Sequence, residues 1–145
     1  MIISHKYRFI FIKTGKTAGT SLEVFLSQHC GLDDIITPIY PVVPLHEPKN
    51  YKGWWNPWPE LRQQQGRGLR QTAKEWIRKN KFYNHIPARK VKARVPPSVW
   101  RSYYKFCVDL DAWDKTMYHY YMLKNNSAAI ESLDDYFNNR YFCHN

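Results

Sequence analysis

Residues 7–21 read YRFIFIKTGKTAGTS and combine two patterns. Phe9–Ile12 is an unbroken apolar run, too short for a helix and rich in strand-forming residues, so it predicts a strand buried on both faces. Small, polar and cationic residues follow at Gly15–Ser21, and a helical spacing then begins with Leu22, Phe25, Leu26 and His29. The stretch therefore predicts a strand, a turn of small residues and a helix, in that order.

The predicted turn has the features of an anion-binding loop. At the start of a helix the backbone N–H groups lack helical partners, and the positive end of the helix dipole lies beside them. Small residues let an anion approach, Lys16 adds a full charge, and the Thr and Ser hydroxyls add donors. The GKT triplet would also suit a Walker A loop, but Ile10 occupies the position of that motif's first glycine. An ordinary strand–turn–helix with a solvated lysine is the alternative.

Lys16–Ser21 resembles the 5′-phosphosulfate loop of sulfotransferases that use 3′-phosphoadenylyl sulfate (PAPS). In carbohydrate-type members this loop reads close to P-K-T-A-x-T-S after a strand, and Gly15 stands here where the family usually has proline. The opening residues also resemble those of the small bacterial-type members. The resemblance implies an α/β fold of the three-layer, P-loop-NTPase-like kind, with a parallel sheet flanked by helices. It implies PAPS as the sulfuryl donor without a metal, bound by Lys13, Gly15, Lys16, Thr17, Ala18, Gly19, Thr20 and Ser21.

The same resemblance implies two catalytic residues. His85 follows Asn84, matching an N-H or H-H pair whose histidine the family uses as the base, and a histidine with a near-neutral pKa suits that task. Lys16 matches the cation that stabilises charge on the bridging oxygen of the leaving phosphate. A capping or solvent-facing histidine is the alternative for His85.

The resemblance breaks at the 3′-phosphate of the cofactor. Family members follow the second strand with R-N-P-W-D-[RK]-x-x-S-x-Y, in which the arginine and the serine hold that phosphate. Leu110 and Tyr118 stand at those two positions here, and leucine cannot replace a bidentate arginine. Arg94 and Arg101 are the candidate substitutes from a neighbouring segment. The family domain also continues further, so we expect this chain to lack its C-terminal part.

The composition indicates one folded domain over residues 1–145 with a strong attraction for anions. Lys and Arg number 22 against 12 Asp and Glu, a formal charge of +10 that does not distinguish nucleotides, acidic glycans, nucleic acid and anionic lipids. Three scattered cysteines indicate reduced thiols in a cytoplasmic protein, with Cys107 in the core. We expect no signal peptide and no membrane span, because no apolar run reaches roughly 18 residues.

The remaining patterns predict helices around a second central strand. Tyr104–Val108 is the second buried strand, parallel to a first strand at Arg8–Lys13, and the first helix is expected at Thr20–His29. Gly31–Pro59 is a proline-rich loop whose Trp54, Trp55 and Trp58 either pack on the core or stack on a sugar or base. Further helices are expected at Thr72–Asn80, from Pro96, at Trp113–Met122 and at Ser127–Phe137, with Ser127 as N-cap and Glu131 near the first turn. Pro87–Val95 is expected to be a short helix or a turn.

These observations predict sulfuryl transfer from PAPS to a hydroxyl acceptor, most plainly that of a carbohydrate. Three other functions stay open. The first is a degenerate, non-catalytic domain that binds an anion or nucleotide; the second is a P-loop-like phosphotransferase with Mg²⁺ held by Asp109 and Thr17. Nucleic-acid binding through the basic, aromatic middle of the chain is the third and has no motif in its favour. Association with a second copy that supplies the missing part also stays open.

Overall fold

The computed structural model describes residues 1–15, 17, 19–62, 66–126 and 132–139. Over these residues the chain is a mixed α/β protein with a small four-stranded mixed sheet and seven helices. It divides into two compact units. The first unit comprises Met1–Lys13 with Thr20–Cys107, and the second comprises Thr14–Gly19 with Val108–Asn145.

The sheet consists of β1 (Ile2–Ser4), β2 (Phe9–Phe11), β3 (Ile35–Ile36) and β4 (Tyr104–Phe106), in the order β3-β1-β2-β4. β1 pairs antiparallel with both β2 and β3, while β2 pairs parallel with β4, Phe9 lying opposite Tyr104. The predicted strands at 8–13 and 104–108 are therefore present and parallel to each other. The expectation of an all-parallel sheet is wrong, because β1 and β3 were not predicted and both run antiparallel to their neighbours.

The two faces of β2 are covered by different parts of the first unit. On one face Ile3 and Ile10 belong to a buried cluster completed by residues of later segments, namely Met1, Phe82, Ile86, Val91 and Val95. On the other face Ile2, Phe11 and Ile36 are buried, with Leu22 and Leu26 of the first helix packed against them. The prediction that this strand is buried on both faces is confirmed at Ile10 and Phe11.

β4 differs from the prediction, because it lies at the edge of the sheet. Tyr104 is 73% exposed, Lys105 is exposed and only Phe106 is half-buried, against Phe9 and Phe11. Cys107 is also exposed, so its prediction as a core residue is wrong. An edge strand has a neighbour on one side only, which explains why an apolar-looking run is not buried here.

Asp34 holds the turn between β1 and β2 and lies near the end of the first helix. Its buried carboxylate accepts hydrogen bonds from Ser4 Oγ (2.8 Å) and from the backbone N–H groups of His5 (2.6 Å), Lys6 (3.1 Å) and Gly31 (2.8 Å). Burial alone would raise the pKa of Asp34, but the hydrogen bonds from Gly31, Ser4, Lys6 and His5 outweigh it and lower the pKa. One side chain therefore fixes the β-hairpin that places β2 in the middle of the sheet.

Five helices begin in or immediately before the first unit: α1 (Gly19–Gln28), α2 (Trp58–Leu61), α3 (Arg67–Ile77), α4 (Ala88–Arg94) and α5 (Pro97–Ser102). The last two begin after or at a proline, whose fixed φ suits the first helical turn. The helices predicted at Thr20–His29, at Thr72–Asn80, from Pro96 and at Trp113–Met122 are all present, with ends shifted by a few residues, and the helix or turn expected at Pro87–Val95 is the helix α4. α2 was not predicted, because its segment was expected to continue a proline-rich loop. The helix α3 begins earlier than predicted, at Arg67 in place of Thr72.

The second unit contains α6 (Ala112–Asn126) and α7 (Leu133–Asn138). Tyr120 and Tyr136 form its buried centre, and Met117, Leu123 and Leu133 pack against them. α7 begins with a capping box, in which Ser132 Oγ accepts from the Asp135 N–H and the Asp135 carboxylate accepts from the Ser132 N–H. The predicted N-cap Ser127 and the predicted first-turn Glu131 lie outside the described residues.

Candidate functional site

The predicted anion loop connects β2 to α1, and its residues Thr14–Gly19 belong to the second unit, in which threonine hydroxyls hold part of the loop. Thr14 Oγ1 donates to the carbonyl oxygen of Val108, and it lies 3.0 Å from Thr17 Oγ1. Because the carbonyl can only accept, the single Thr14 proton points to Val108, so Thr17 donates in the contact between the two hydroxyls. Thr17 is buried and its proton stays inside the loop. Thr17 therefore shapes the loop, and its hydroxyl proton is not directed to an external anion.

The described part of this loop is open where the sequence has glycine. A Cβ added to Gly15 would meet no atom of the described residues within 4 Å, its own chain neighbours aside. α1 begins at Gly19, and its first turn carries no acidic residue. Thr20 is half-buried and Ser21 is exposed. The strand, turn and helix are thus in the order that an anion loop requires. Lys16 and Ala18 lie outside the described residues.

Lys13 is the first predicted ligand, and the structure places its charge against a carboxylate. Its Nζ lies 3.1 Å from Glu23 Oε2, and both side chains are buried in the first unit. The other oxygen of Glu23 contacts the backbone nitrogen of Met1 and lies 3.3 Å from Thr37 Oγ1, which donates to it. A cation neutralised in this way contributes little to attracting an external phosphate. The charge for an anion must come from other residues of the loop.

His85, the predicted base, lies near Lys13 in the first unit. His85 is exposed, as the solvent-facing alternative requires, and the burial of the remaining part of its ring is the main influence on its pKa and lowers it. The positive charge of Lys13 lowers the pKa further. The Glu23 carboxylate and a hydrogen bond with the Lys13 backbone act in the opposite direction but are weaker. The lowered pKa favours the neutral imidazole, which is the form that accepts a proton.

Two features next to the imidazole indicate a constrained position. His85 has a φ of 56°, a left-handed conformation that costs a non-glycine residue about 1 kcal/mol or more. The neighbouring Asn84 Oδ1 is buried and has no hydrogen-bond partner among the described residues. A buried acceptor without a donor is unfavourable by about 1–3 kcal/mol. The left-handed conformation also occurs at four other non-glycine residues, so it does not single out His85. The unpaired Asn84 Oδ1 is the more specific feature, and Asn84 was not a predicted site residue.

The two positions where the family holds the 3′-phosphate lie in the second unit. Leu110 is 38% exposed and Tyr118 is 56% exposed. Next to Leu110, Asp109 Oδ1 lies 3.0 Å from Lys115 Nζ and accepts from the Leu110 N–H at 3.0 Å. Asp109 is thus paired with a lysine, which competes with the Mg²⁺ role that the phosphotransferase alternative gives it.

Arg94 does not replace the missing arginine, because the first unit uses it elsewhere. Its guanidinium is buried between two carboxylates, with Nε 2.7 Å from Glu60 Oε1 and Nη2 2.8 Å from Glu60 Oε2 and 2.5 Å from Glu75 Oε2. Nη1 donates to the Lys81 carbonyl at 2.8 Å, and the carbon of the guanidinium lies 4.2 Å from the centre of the Trp55 ring. The suggestion that Arg94 binds phosphate is wrong; Arg101 is exposed.

The three tryptophans of the proline-rich segment divide between packing and exposure. Trp55 is buried and its Nε1–H donates to Glu60 Oε1 at 3.0 Å, so the packing role is confirmed for this residue. Trp54 and Trp58 are 53% and 65% exposed. The Trp54 ring already lies against Trp76, with Lys79 Nζ 5.1 Å from its centre, so Trp58 has more of the free ring area that stacking on a ligand would need.

Comparison with protein-family models, with curated protein sequences and with solved structures found no match. Within the described residues, no helix is long and apolar enough to cross a membrane. The same part of the chain contains no group of three or more His, Cys, Asp or Glu side chains placed to hold a metal ion. The function must therefore be argued from the residues themselves.

Proposed function

We propose that this chain is a sulfotransferase of the PAPS-dependent type, in which Lys16–Ser21 bind the 5′-phosphosulfate and His85 is the base. One observation supports this most: the loop that carries the matching residues runs from a buried strand into a helix N-terminus, with open space beside Gly15. The backbone N–H groups of the first turn of α1, with Thr20 and Ser21, would hold the anion. A three-layer, P-loop-like arrangement of this α/β domain is part of the same proposal.

PAPS, when bound, would supply the sulfuryl group. The chain's own residues have two tasks in such a reaction. His85 accepts the proton of the acceptor hydroxyl at its free ring nitrogen, which its lowered pKa keeps unprotonated at neutral pH. Lys16 supplies positive charge at the loop, because the charge of Lys13 is neutralised by Glu23. The acceptor class proposed is a carbohydrate hydroxyl.

The binding half of the proposal is tested by calorimetric titration with adenosine 3′,5′-bisphosphate. We expect Lys16→Ala to weaken binding about tenfold or more, since a charge-assisted hydrogen bond contributes roughly 1.5–3 kcal/mol. Lys92→Ala removes an exposed lysine from α4 and serves as the matched control, with unchanged affinity. Equal affinities for the native protein and the Lys16 variant would exclude this loop as the site.

A second candidate function is a non-catalytic nucleotide-binding domain, and the burial of Arg94 favours it. Leu110 and Tyr118 occupy the family's 3′-phosphate positions, so the usual arginine and serine are missing. Arg94 is ion-paired with Glu60 and Glu75 and does not replace that arginine. The native protein should then bind AMP and adenosine 3′,5′-bisphosphate about equally. The double variant Leu110→Arg, Tyr118→Ser should prefer the bisphosphate about tenfold or more.

Turnover separates the two candidates. PAPS is supplied with a simple sugar acceptor, and the release of adenosine 3′,5′-bisphosphate is measured for the native, repaired and His85→Ala proteins. Sulfuryl transfer predicts release that His85→Ala abolishes while nucleotide affinity stays nearly unchanged, since a base acts on the acceptor. Absence of release in both the native and the repaired protein, with nucleotide binding intact, would favour the non-catalytic domain.

A further inference from the structure

Helix α3 (Arg67–Ile77) is packed with its polar side inward. Thr72 and Glu75 are buried, whereas Leu69, Ala73, Trp76 and Ile77 are exposed, Ile77 to 71%. The four exposed residues are spaced by four, three and one positions and so lie on one side of the helix. An amphipathic helix of a globular protein normally buries such an apolar side. α3 instead presents it to the outside.

The reason for this orientation is the buried charge cluster. Glu75 is held inward by Lys90, whose Nζ lies 3.0 Å from Oε2 and 3.1 Å from Oε1, and by Arg94 at 2.5 Å. Thr72 lies beside Glu60 of the same cluster. Turning the helix to bury Ile77 would expose or unpair these groups, and breaking a buried ion pair is strongly destabilising. The outward apolar side is therefore fixed by the packing of the first unit.

Trp54 enlarges the exposed apolar surface. Its ring centre lies 4.6 Å from that of Trp76, and its side chain is 53% exposed. The indole N–H of Trp76 donates to the Trp55 carbonyl at 3.1 Å, so its polar group is satisfied while part of the ring stays exposed. We call the surface formed by Trp54, Leu69, Ala73, Trp76 and Ile77 the α3 apolar face.

A row of cations borders the α3 apolar face. Arg67, Arg70, Lys74 and the C-cap Arg78 are exposed and are spaced by three, four and four positions, which places them on the adjoining side of the helix. Lys79 lies 5.1 Å from the centre of the Trp54 ring. The α3 sequence contains one acidic residue, Glu75, and it is buried and paired. The partner of this surface must therefore combine negative charge with apolar material.

We propose that α3 binds the surface of an anionic phospholipid bilayer, lying in the plane of the headgroups. The cations would contact lipid phosphates and carboxylates, and the α3 apolar face would enter the boundary of the acyl chains. A second copy of the chain fits less well, because two rows of four cations would repel. A linear polyanion such as a single-stranded nucleic acid would satisfy the cations but leave Leu69 and Ile77 uncovered. This inference does not depend on the sulfotransferase proposal.

Vesicle co-sedimentation of the full chain tests the proposal. Phosphatidylcholine vesicles are compared with vesicles of phosphatidylcholine mixed with phosphatidylserine, at low and high salt. We expect binding to the mixed vesicles only, weakening as salt screens the charges. Each cation near such a surface changes partitioning about fivefold, so Arg70→Gln with Lys74→Gln should lower it at least about tenfold. Leu69→Ser with Ile77→Ser should lower it by a similar factor while charge is unchanged.

Matched controls keep the test specific. Arg89→Gln with Lys92→Gln removes two exposed cations from α4, and Leu32→Ser with Val42→Ser removes two apolar side chains that are 89% and 81% exposed. Neither pair should change vesicle binding, and circular dichroism should show every variant folded. The proposal is overturned if the native protein binds both vesicle types equally or binds neither. It is also overturned if the control variants lose as much vesicle binding as the α3 variants. Dimerisation or oligonucleotide binding without vesicle binding would also overturn it.

Discussion

Replacing Arg94 with methionine should unfold the first unit far more readily without changing the nucleotide site. The guanidinium makes three hydrogen bonds to the carboxylates of Glu60 and Glu75 and one at 2.8 Å to the Lys81 carbonyl. Methionine fills a similar volume but donates nothing. Glu60 would lose its ion-pair partner, while Glu75 would keep only Lys90.

The size of the effect follows from this burial. Removing one member of a buried ion pair costs about 3–5 kcal/mol, because the remaining charge stays buried without its counter-ion. A domain has a free energy of unfolding of about 5–15 kcal/mol, so a large fraction of the stability is at stake. Arg94→Lys should also lose much of it, since an ammonium cannot bridge two carboxylates with a planar fork of donors.

Urea unfolding curves over a range of pH measure both the loss of stability in Arg94→Met and the direction in which that loss changes with pH. Burial alone would raise the pKa of Glu75, but hydrogen bonds from Arg94, Gln71 and Lys90 outweigh it and lower the pKa. A lowered pKa stabilises the fold above the usual glutamate value of about 4.3, and that contribution is lost as pH falls through the folded value. The difference in the free energy of unfolding between the native protein and Arg94→Met should therefore become smaller below about pH 4.

The exposed Arg101 provides the control for this experiment. Arg101→Met should change the free energy of unfolding by no more than about 0.5 kcal/mol. A loss of less than about 1 kcal/mol for Arg94→Met would refute the structural role given to this residue. So would an unchanged unfolding curve combined with weaker binding of adenosine 3′,5′-bisphosphate, because that pair of results would return Arg94 to the phosphate site.

Three further predictions concern the turn, the loop and the base. Asp34→Ala removes the acceptor of four hydrogen bonds and should lower the free energy of unfolding by about 3 kcal/mol or more in urea; a loss below about 1 kcal/mol would contradict it. Gly15→Ala should keep the fold and raise the free energy of unfolding by up to about 1 kcal/mol in the same assay, since the added Cβ would meet no atom of the described residues within 4 Å; a lower free energy of unfolding would contradict this. If turnover is found, kcat/KM should fall about tenfold per pH unit at low pH, with an apparent pKa below the usual histidine value of about 6.5. An apparent pKa above about 6.5 for this fall would exclude His85 as the base.

The centre of the fold was predictable because its signals are local. Phe9–Ile12 is a continuous apolar run, and the change to small residues at Gly15 marks where the strand ends and the helix follows. β1 and β3 escaped prediction because their apolar runs, Met1–Ile3 and Ile35–Ile36, are only three and two residues long, whereas the run at Phe9–Ile12 has four. Their pairing depends on each other and on Asp34, which is distant in sequence. Short strands carry too few residues for a periodic pattern.

The orientation of α3 could not be predicted for a different reason. Its sequence indicates an amphipathic helix, and an apolar side with Ala73, Trp76 and Ile77 would ordinarily face a core. The partners that reverse it, Lys90 and Arg94, lie 15 and 19 positions after Glu75. A helical pattern thus reports that two sides differ in polarity, whereas the choice of the buried side depends on side chains from another helix.

The same principle explains why net charge is a weak guide to where an anion binds. Lys13, Lys90 and Arg94 are neutralised by buried carboxylates and add little to the field outside the protein. Arg70 and Lys74 are exposed on a helix whose one acid is already paired, so their charge acts on whatever approaches. Sequence alone gives Arg70 and Arg94 the same weight. Only the contact of Arg94 with Glu60 and Glu75 separates a cation that holds the fold from one that can recruit a partner.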